Sequence, residues 1–138
     1  MRGISFKAIV VAYIAMMVLD IVLGMVLSLI FGWEELSRAM TEEQMDAAFV
    51  VLAKKPAYLA SAMLLGTLTT LAGGYIAADR AKILPYMNAF VFGLLGIATG
   101  LLMSEGLPLW YNVLGIAGTL PAALLGGHIA KKRTRVNG

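Results

Sequence analysis

Four long apolar segments dominate the hydrophobic pattern of the chain. They cover residues 8–31, 57–78, 83–103 and 107–130, and only the first contains an Asp, Glu, Lys or Arg. A helix needs about 20 apolar residues to cross a hydrocarbon core of about 30 Å. The pattern therefore predicts an all-α integral membrane protein, with four transmembrane helices in a single domain of residues 1–138.

Short polar breaks separate the last three apolar segments. Residues 79–82 read Asp-Arg-Ala-Lys, and residues 104–106 read Ser-Glu-Gly. Connections this short force neighbouring helices to run in opposite directions. The expected fold is an antiparallel four-helix bundle.

The segment 32–56 is the longest polar part of the chain. Thr41 with Gln44 three residues later fits a capping box at the start of a helix. Apolar positions then recur at helical spacing, at Met45, Ala48, Phe49 and Leu52. The spacing predicts a short amphipathic helix on the outer face, which either covers the membrane surface or the bundle, or offers a surface to a partner.

Composition agrees with a lipid environment. Hydrophobic residues make up 60% of the chain and charged residues 14%, whereas soluble domains average about 25% charged residues. The net charge of +3 comes from bases that gather near the ends of spans and form no single patch for nucleic acid. The absence of cysteine excludes disulfides and thiolate chemistry.

Basic residues predict the orientation of the spans. Eight of them belong to one side of the membrane: Arg2, Lys7, Arg80, Lys82, Lys131, Lys132, Arg133 and Arg135. The other side has three bases among six acids, so the positive-inside rule places both termini and the tail 131–138 in the cytoplasm of a bacterial inner membrane. Arg80 and Arg133 are expected to anchor helix ends at anionic headgroups, with a specific lipid or a cytoplasmic partner as the alternative.

The basic N-terminus before an apolar run is also the pattern of a signal peptide. The run 8–31 is longer than a signal-peptide core, and no convincing cleavage site of small residues follows it. We therefore expect a retained first span, with a cleaved signal peptide as the alternative.

The second and fourth spans share an internal repeat. Residues 73–82 read GGYIAADRAK and residues 126–135 read GGHIAKKRTR, at an offset of 53. Small residues also recur every four positions in both spans, a spacing that lets helix backbones approach closely. Two hypotheses follow: duplication of a helical hairpin, or convergence of two span ends on the same residue types.

The first copy of the repeat resembles a loose class of small bacterial inner-membrane proteins. Their spans end in Gly-Gly-Tyr-Ile/Val-Ala-x-x-Arg, which here is Gly73, Gly74, Tyr75, Ile76, Ala77 and Arg80. The resemblance implies four spans and an inner-membrane location. It implies no particular activity.

Asp20 lies at the centre of the first span. An acid at this depth costs about 2.5–3.5 kcal/mol on insertion scales, so it is usually paired or functional. Because no base lies at its depth, we expect a protonated Asp20 that donates a hydrogen bond to Thr67, to Thr119 or to the Ala117 carbonyl. Pro121 frees that carbonyl because proline has no N–H. Asp20 also shares a helix face with Tyr13, Gly24 and Ser28.

Catalytic chemistry has few candidates in this sequence. No metalloprotease motif, phosphate-binding loop or cluster of metal ligands occurs, and His128 is expected to lie at a membrane interface. We therefore predict no catalytic residue, no cofactor and no metal. Asn88 is a further candidate for a hydrogen bond between helices.

Two functions are compatible with these features, and the sequence favours the first because it shows no second intramembrane charge and no obvious polar lining for a transport path. In the first, Asp20 is a polar contact and the protein is a non-catalytic assembly or accessory component, in a homo-oligomer or a larger membrane complex. In the second, Asp20 takes up and releases a proton or cation, and the protein is a small coupled transporter. The bilayer is the expected partner in both, and nucleic acid in neither.

Overall fold

The computed structural model describes residues 3–38 and 41–136, with side chains as far as residue 134. Arg2, residues 39–40 and the side chain of Arg135 lie outside the described residues. The described ranges hold five helices and no strand: α1 (Phe6–Ser37), α2 (Glu42–Leu52), α3 (Pro56–Ala81), α4 (Pro85–Leu102) and α5 (Leu109–Val136). Helices α1, α3, α4 and α5 are long and apolar enough to cross a membrane, as the hydrophobic pattern predicted.

Capping residues define where the helices begin. Pro56 and Pro85 occupy the first turns of α3 and α4, where the missing N–H of proline has no cost. The Thr41 hydroxyl accepts a hydrogen bond from the Gln44 N–H at 3.2 Å, so the predicted cap of α2 is confirmed. Helix α5 continues through the basic residues to Val136, since lysine and arginine favour helix and stabilise its C-terminal end.

Helix α1 bends where the first apolar segment ends. Gly32 has φ −130° and ψ 23°, which interrupts the helical backbone. The buried Leu52 of α2 packs here, because a Cβ on Gly32 would come within 2.8 Å of its methyl carbons. Lys55 Nζ also donates to the Phe31 carbonyl and to Glu35 Oε1, both at 2.8 Å. These contacts hold α2 and the start of α3 against the end of α1.

The amphipathic pattern of α2 is only partly used in packing. Ala48 and Leu52 are buried, as expected. Met45 and Phe49 are exposed, at 42% and 44% of their surface. One edge of the predicted apolar face is therefore buried against α1, and the other remains exposed.

Helix α3 packs along α1, α4 and α5, and the core lies at one end of these helices. We call this the terminal end, because it carries residue 6, the α3–α4 turn and residue 136; the opposite end is the loop end. The core consists of Ile9, Ala12, Met16, Ala77, Phe92 and Ala123. Three of these six side chains are alanine, which lets the helices approach closely around Ile9, Met16 and Phe92.

The closest approach joins α3 and α5. A Cβ on Gly74 would overlap the backbone of Ala123, and a Cβ on Gly126 would overlap the Leu71 carbonyl oxygen. Only glycine permits backbones to meet at this distance. We call this contact the glycine seam, and it accounts for the small residues near the terminal ends of both helices by packing within one chain. A Cβ on Gly66 or Gly115, farther along the same stripes, would meet no neighbour.

The two copies of the sequence repeat occupy different environments. Gly73 faces the Phe92 ring, whereas its counterpart Gly126 faces the α3 backbone. Tyr75 accepts a hydrogen bond from Arg133 at 2.8 Å, whereas its counterpart His128 pairs with the Tyr86 hydroxyl at 2.6 Å. Duplication therefore remains a hypothesis from the sequence.

Asn88 ties the N-terminal segment to the α3–α4 turn. Its side chain is completely buried, and Oδ1 accepts from the Ser5 N–H at 2.8 Å. Its Nδ2 donates to the carbonyls of Ile83 at 2.8 Å, Leu84 at 3.0 Å and Gly3 at 3.2 Å. The amide thus pairs with the Ser5 N–H and with the carbonyls of Gly3 and Ile83, and it adds a second hydrogen bond to the Leu84 carbonyl, which also accepts from the Asn88 N–H.

Replacing Asn88 should destabilise the fold. In Asn88→Leu the Ser5 N–H and the carbonyls lose their partner, and a buried unpaired polar group costs about 1–3 kcal/mol. The matched control is Asn112→Leu, because Asn112 is half-buried and its amide makes longer bonds of 3.3 and 3.5 Å. Chemical unfolding in mixed micelles measures both, and equal losses would contradict the role given to Asn88.

The glycine seam gives a second stability prediction. Gly126→Ala should lower the free energy of unfolding by about 1–3 kcal/mol, because the methyl group overlaps the α3 backbone. Gly118→Ala is the control on the same helix: a Cβ there meets open space, so it should gain up to about 1 kcal/mol of helix propensity. The same unfolding assay applies, and a neutral Gly126→Ala would refute the seam.

Candidate functional site

The helices lose their close packing toward the loop end. Helix α1 has no buried residue between Met16 and Leu27, α4 has none after Gly93, and α5 has none before Ala122. The glycine seam and the core thus close one half of the structure. The other half encloses space among α1, α3, α4 and α5.

This space is a cavity of about 380 Å³. It extends from Met16 and Phe92 beside the core to Met103, Leu107 and Tyr111 near the α4–α5 turn. Its volume falls within the range of about 300–1,000 Å³ found for small-molecule sites. All four long helices contribute to its lining.

The cavity contains the polar residues singled out in the sequence. Asp20, Thr67 and Thr119 all line it, although they come from three different helices. Asp20 is exposed to this space instead of being packed in a dry contact. The structure therefore brings together the residues proposed as an intramembrane polar site.

The direct side-chain neighbour of Asp20 was not identified from the sequence. It is Thr69, whose hydroxyl interacts with the Asp20 carboxyl. Thr69 lies two residues from Thr67 and is buried, whereas Thr67 is exposed. Depth along the span suggested Thr67, whereas the rotation of α3 toward α1 places Thr69 beside Asp20.

The carbonyl released by Pro121 lies elsewhere. Pro121 and Ala117 are both exposed, and neither is among the residues that line the cavity. Ala117 faces outward because its neighbours Ile116 and Gly118 take the inward positions on α5. This carbonyl is therefore not placed to accept a hydrogen bond from Asp20 inside the cavity.

Four threonine hydroxyls line the cavity, and each uses its proton within its own helix. Each donates to the carbonyl four residues earlier: Thr67 to Met63 at 2.8 Å, Thr70 to Gly66 at 2.7 Å, Thr99 to Leu95 at 2.9 Å and Thr119 to Gly115 at 2.7 Å. A hydroxyl has one proton and two lone pairs. These oxygens therefore present acceptors to the cavity.

Tyr13 and Asn112 also use their protons within the protein and leave acceptor oxygens in the cavity. The Thr99 proton is engaged with Leu95, so the short contact between Tyr13 and Thr99 has the Tyr13 hydroxyl as donor. Asn112 Nδ2 donates to the carbonyls of Ser104 and Leu107, which leaves its Oδ1 as an acceptor. The Tyr13 and Asn112 oxygens thus also offer lone pairs.

The lining is electronegative as a whole. Asp20 is its one residue with a formal charge, and the Tyr111 hydroxyl is the one lining donor with no hydrogen-bond acceptor among the described residues. A carboxylate surrounded by oxygen lone pairs attracts a positive charge and repels an anion. The cavity is therefore suited to a cation or a proton.

The remaining candidates lie at the terminal end. Arg80 is exposed, and Arg133 donates to Tyr75, so both reach the surface where a headgroup would lie. His128 bonds to Tyr86, and the Lys131 ammonium lies 4.8 Å from the centre of the Tyr86 ring. Within residues 3–38 and 41–134, no group of three or more acidic, histidine or cysteine side chains is placed to hold a metal ion.

Comparison with protein-family models, curated proteins and solved structures found no match for this chain. The possible chemistry of the site is therefore inferred from the residues that line it. That lining offers one carboxyl, several acceptor oxygens, four methionines and aromatic rings. It offers no nucleophile with a general base beside it.

Cysteine labelling tests whether the cavity holds water. The chain has no cysteine, so Thr119→Cys and Ala117→Cys each introduce a single thiol on α5. The two positions differ in depth by about 3 Å, but residue 119 lines the cavity and residue 117 faces outward.

A cationic methanethiosulfonate reagent should modify Thr119→Cys much faster in proteoliposomes, because the reactive thiolate forms only in contact with water. Labelling is measured as a mass shift over time. Equal rates at the two positions would contradict a water-filled cavity.

Proposed function

We propose that the chain is a multi-pass protein of a bacterial inner membrane, an antiparallel four-helix bundle with both termini in the cytoplasm. The basic residues at the terminal end support this orientation. At the loop end, Trp33 and Trp110 are exposed at 64% and 46%, as membrane-interface tryptophans are. Helix α2 then belongs to the outer face, and α1 with α3 and α4 with α5 form the two hairpins of the suggested duplication.

The proposed function is non-catalytic transport, in which Asp20 binds a proton or a cation within the cavity. The observation that carries it is the position of Asp20 in a chamber of hydrogen-bond acceptors. The sequence alone favoured an assembly contact, because no polar lining was evident. The cavity supplies that lining, and so reverses the preference.

The shape of the cavity supports access from one side at a time. It reaches the α4–α5 turn at the loop end, whereas Met16, Gly73 and Phe92 pack against one another below it. In this conformation a bound ion would communicate with the outer face only. Transport then requires the terminal end to open, as in alternating access.

An assembly or accessory role remains the second candidate, and α2 favours it. Four apolar side chains on this short helix are exposed: Met45, Phe49, Val50 and Val51. They point to several sides of α2 outside the four spans, where a partner subunit or the bilayer surface would cover them. The glycine seam gives this role no support, since its small residues pack within the chain.

Flux measurements separate the two functions. In proteoliposomes that carry an imposed pH gradient, the wild-type chain should dissipate the gradient and Asp20→Asn should not, because asparagine cannot take up a proton. Asp46→Asn is the control, since it removes the same charge from α2, outside the cavity. An assembly role predicts instead that neither protein carries flux and that Asp20→Asn preserves the oligomer.

A further inference from the structure

We infer that the cavity binds a small amphipathic ammonium ion: a monovalent organic cation with N–H donors at one end and an apolar body at the other. This assignment rests on the proposed transport function and names its substrate class. The proposed ligand is an organic cation and not a proton or an inorganic ion. Three properties of the cavity support it: its charge, its hydrogen-bond acceptors and its size.

The charge of the lining matches a single positive charge. Asp20 is the one charged residue that contacts the cavity, so a monovalent cation neutralises it and a divalent ion would leave an excess charge. Calcium typically takes six to eight oxygen ligands, often from several carboxylates. The lining supplies one carboxyl among neutral oxygens, so it lacks the further carboxylates that such a site uses.

The lining presents mainly hydrogen-bond acceptors, which fits a ligand that donates hydrogen bonds. The protons of Thr67, Thr70, Thr99 and Thr119 are committed to helix carbonyls, and the Tyr13 proton is committed to Thr99. The oxygens that remain can only accept. A protonated amine brings two or three N–H donors to such a site, whereas a carboxylate or phosphate brings none.

The cavity is too large to be filled by a bare ion. A volume of about 380 Å³ corresponds to roughly a dozen water molecules at about 30 Å³ each. A dehydrated inorganic cation would leave most of this space without contacts. An organic body would fill it.

The walls of the cavity provide apolar and polarizable contacts for that body. Met16, Met17, Met63 and Met103 line it together with Phe92. Methionine adapts to ligands of different outline, and aromatic faces attract cations. The tyrosines at positions 13 and 111 add further rings near the polar groups.

Binding of three probes of similar size tests the assignment. The full chain in lipid nanodiscs is titrated calorimetrically with 2-phenylethylammonium, 2-phenylethanol and 3-phenylpropanoate. The ammonium ion should bind at least about tenfold more tightly than the neutral alcohol, a difference of about 1.4 kcal/mol. The carboxylate should bind most weakly, because Asp20 repels it.

Two pairs of variants locate the binding. Asp20→Asn should remove the preference for the ammonium ion, whereas the control Asp46→Asn should keep it. Gly66→Leu should weaken binding of the ammonium ion about tenfold or more, because a Cβ at Gly66 enters open space within the cavity. Gly24→Leu adds the same side chain where a Cβ also meets open space, outside the cavity lining, and should leave binding unchanged.

The possible failures are distinguishable. Equal affinity for the ammonium ion and the alcohol would overturn the assignment, as would unchanged binding in both Asp20→Asn and Gly66→Leu. A wild-type chain that binds no ammonium ion but carries a proton flux lost in Asp20→Asn would overturn the substrate class and keep the transport function. A chain with neither binding nor flux would overturn both.

Discussion

The glycine seam between α3 and α5 is the contact on which the rest of the structure depends. Gly74 and Gly126 let the two backbones meet at the terminal end, closer than any side chain would allow. The seam and the core close the terminal end, whereas the same four helices leave a cavity at the loop end, where a Cβ on Gly66, Gly115 or Gly118 would meet no neighbour. The site therefore begins where the close packing set by the seam stops.

Much of the fold was predictable because span length and helix caps are local properties. The four spans, the cap at Thr41 and the turn before Pro56 depend on residues close together in sequence. The break expected at residues 79–82 lies at residues 82–84 in the structure, because α3 continues to Ala81. The bend at Gly32 was not predicted, since it depends on Leu52 arriving from α2. For the site, Asp20 stood out by charge and depth. Thr69 and the cavity did not, because they depend on how α3 is rotated and on where packing stops.

Asp20 illustrates how the surroundings determine the role of an intramembrane acid. The sequence shows a carboxyl without a basic partner at its depth, and a protonated hydrogen-bond donor is the simplest expectation for a dry contact. In the folded chain the nearby threonines bond to their own helices and present lone pairs. A protonated Asp20 still fits these acceptors, and a bound ammonium ion fits them equally well. The same geometry therefore suits exchange of a proton for a cation, which a contact between subunits does not require.

Transport through this cavity would require the terminal end to separate, and the composition of the core bears on how easily it does so. Large interdigitated side chains resist the sliding of one helix along another, because each must leave the space between the side chains that surround it. The core here combines three alanines with Ile9, Met16 and Phe92, and the glycine seam beside it carries no large side chain. Two smooth backbones in contact can shift along each other while their close approach is kept. Met16 and Phe92 both touch Gly73 and both line the floor of the cavity. Under the proposed function, occupancy of the cavity would act directly on the side chains that close it, and would couple binding at Asp20 to opening on the opposite side.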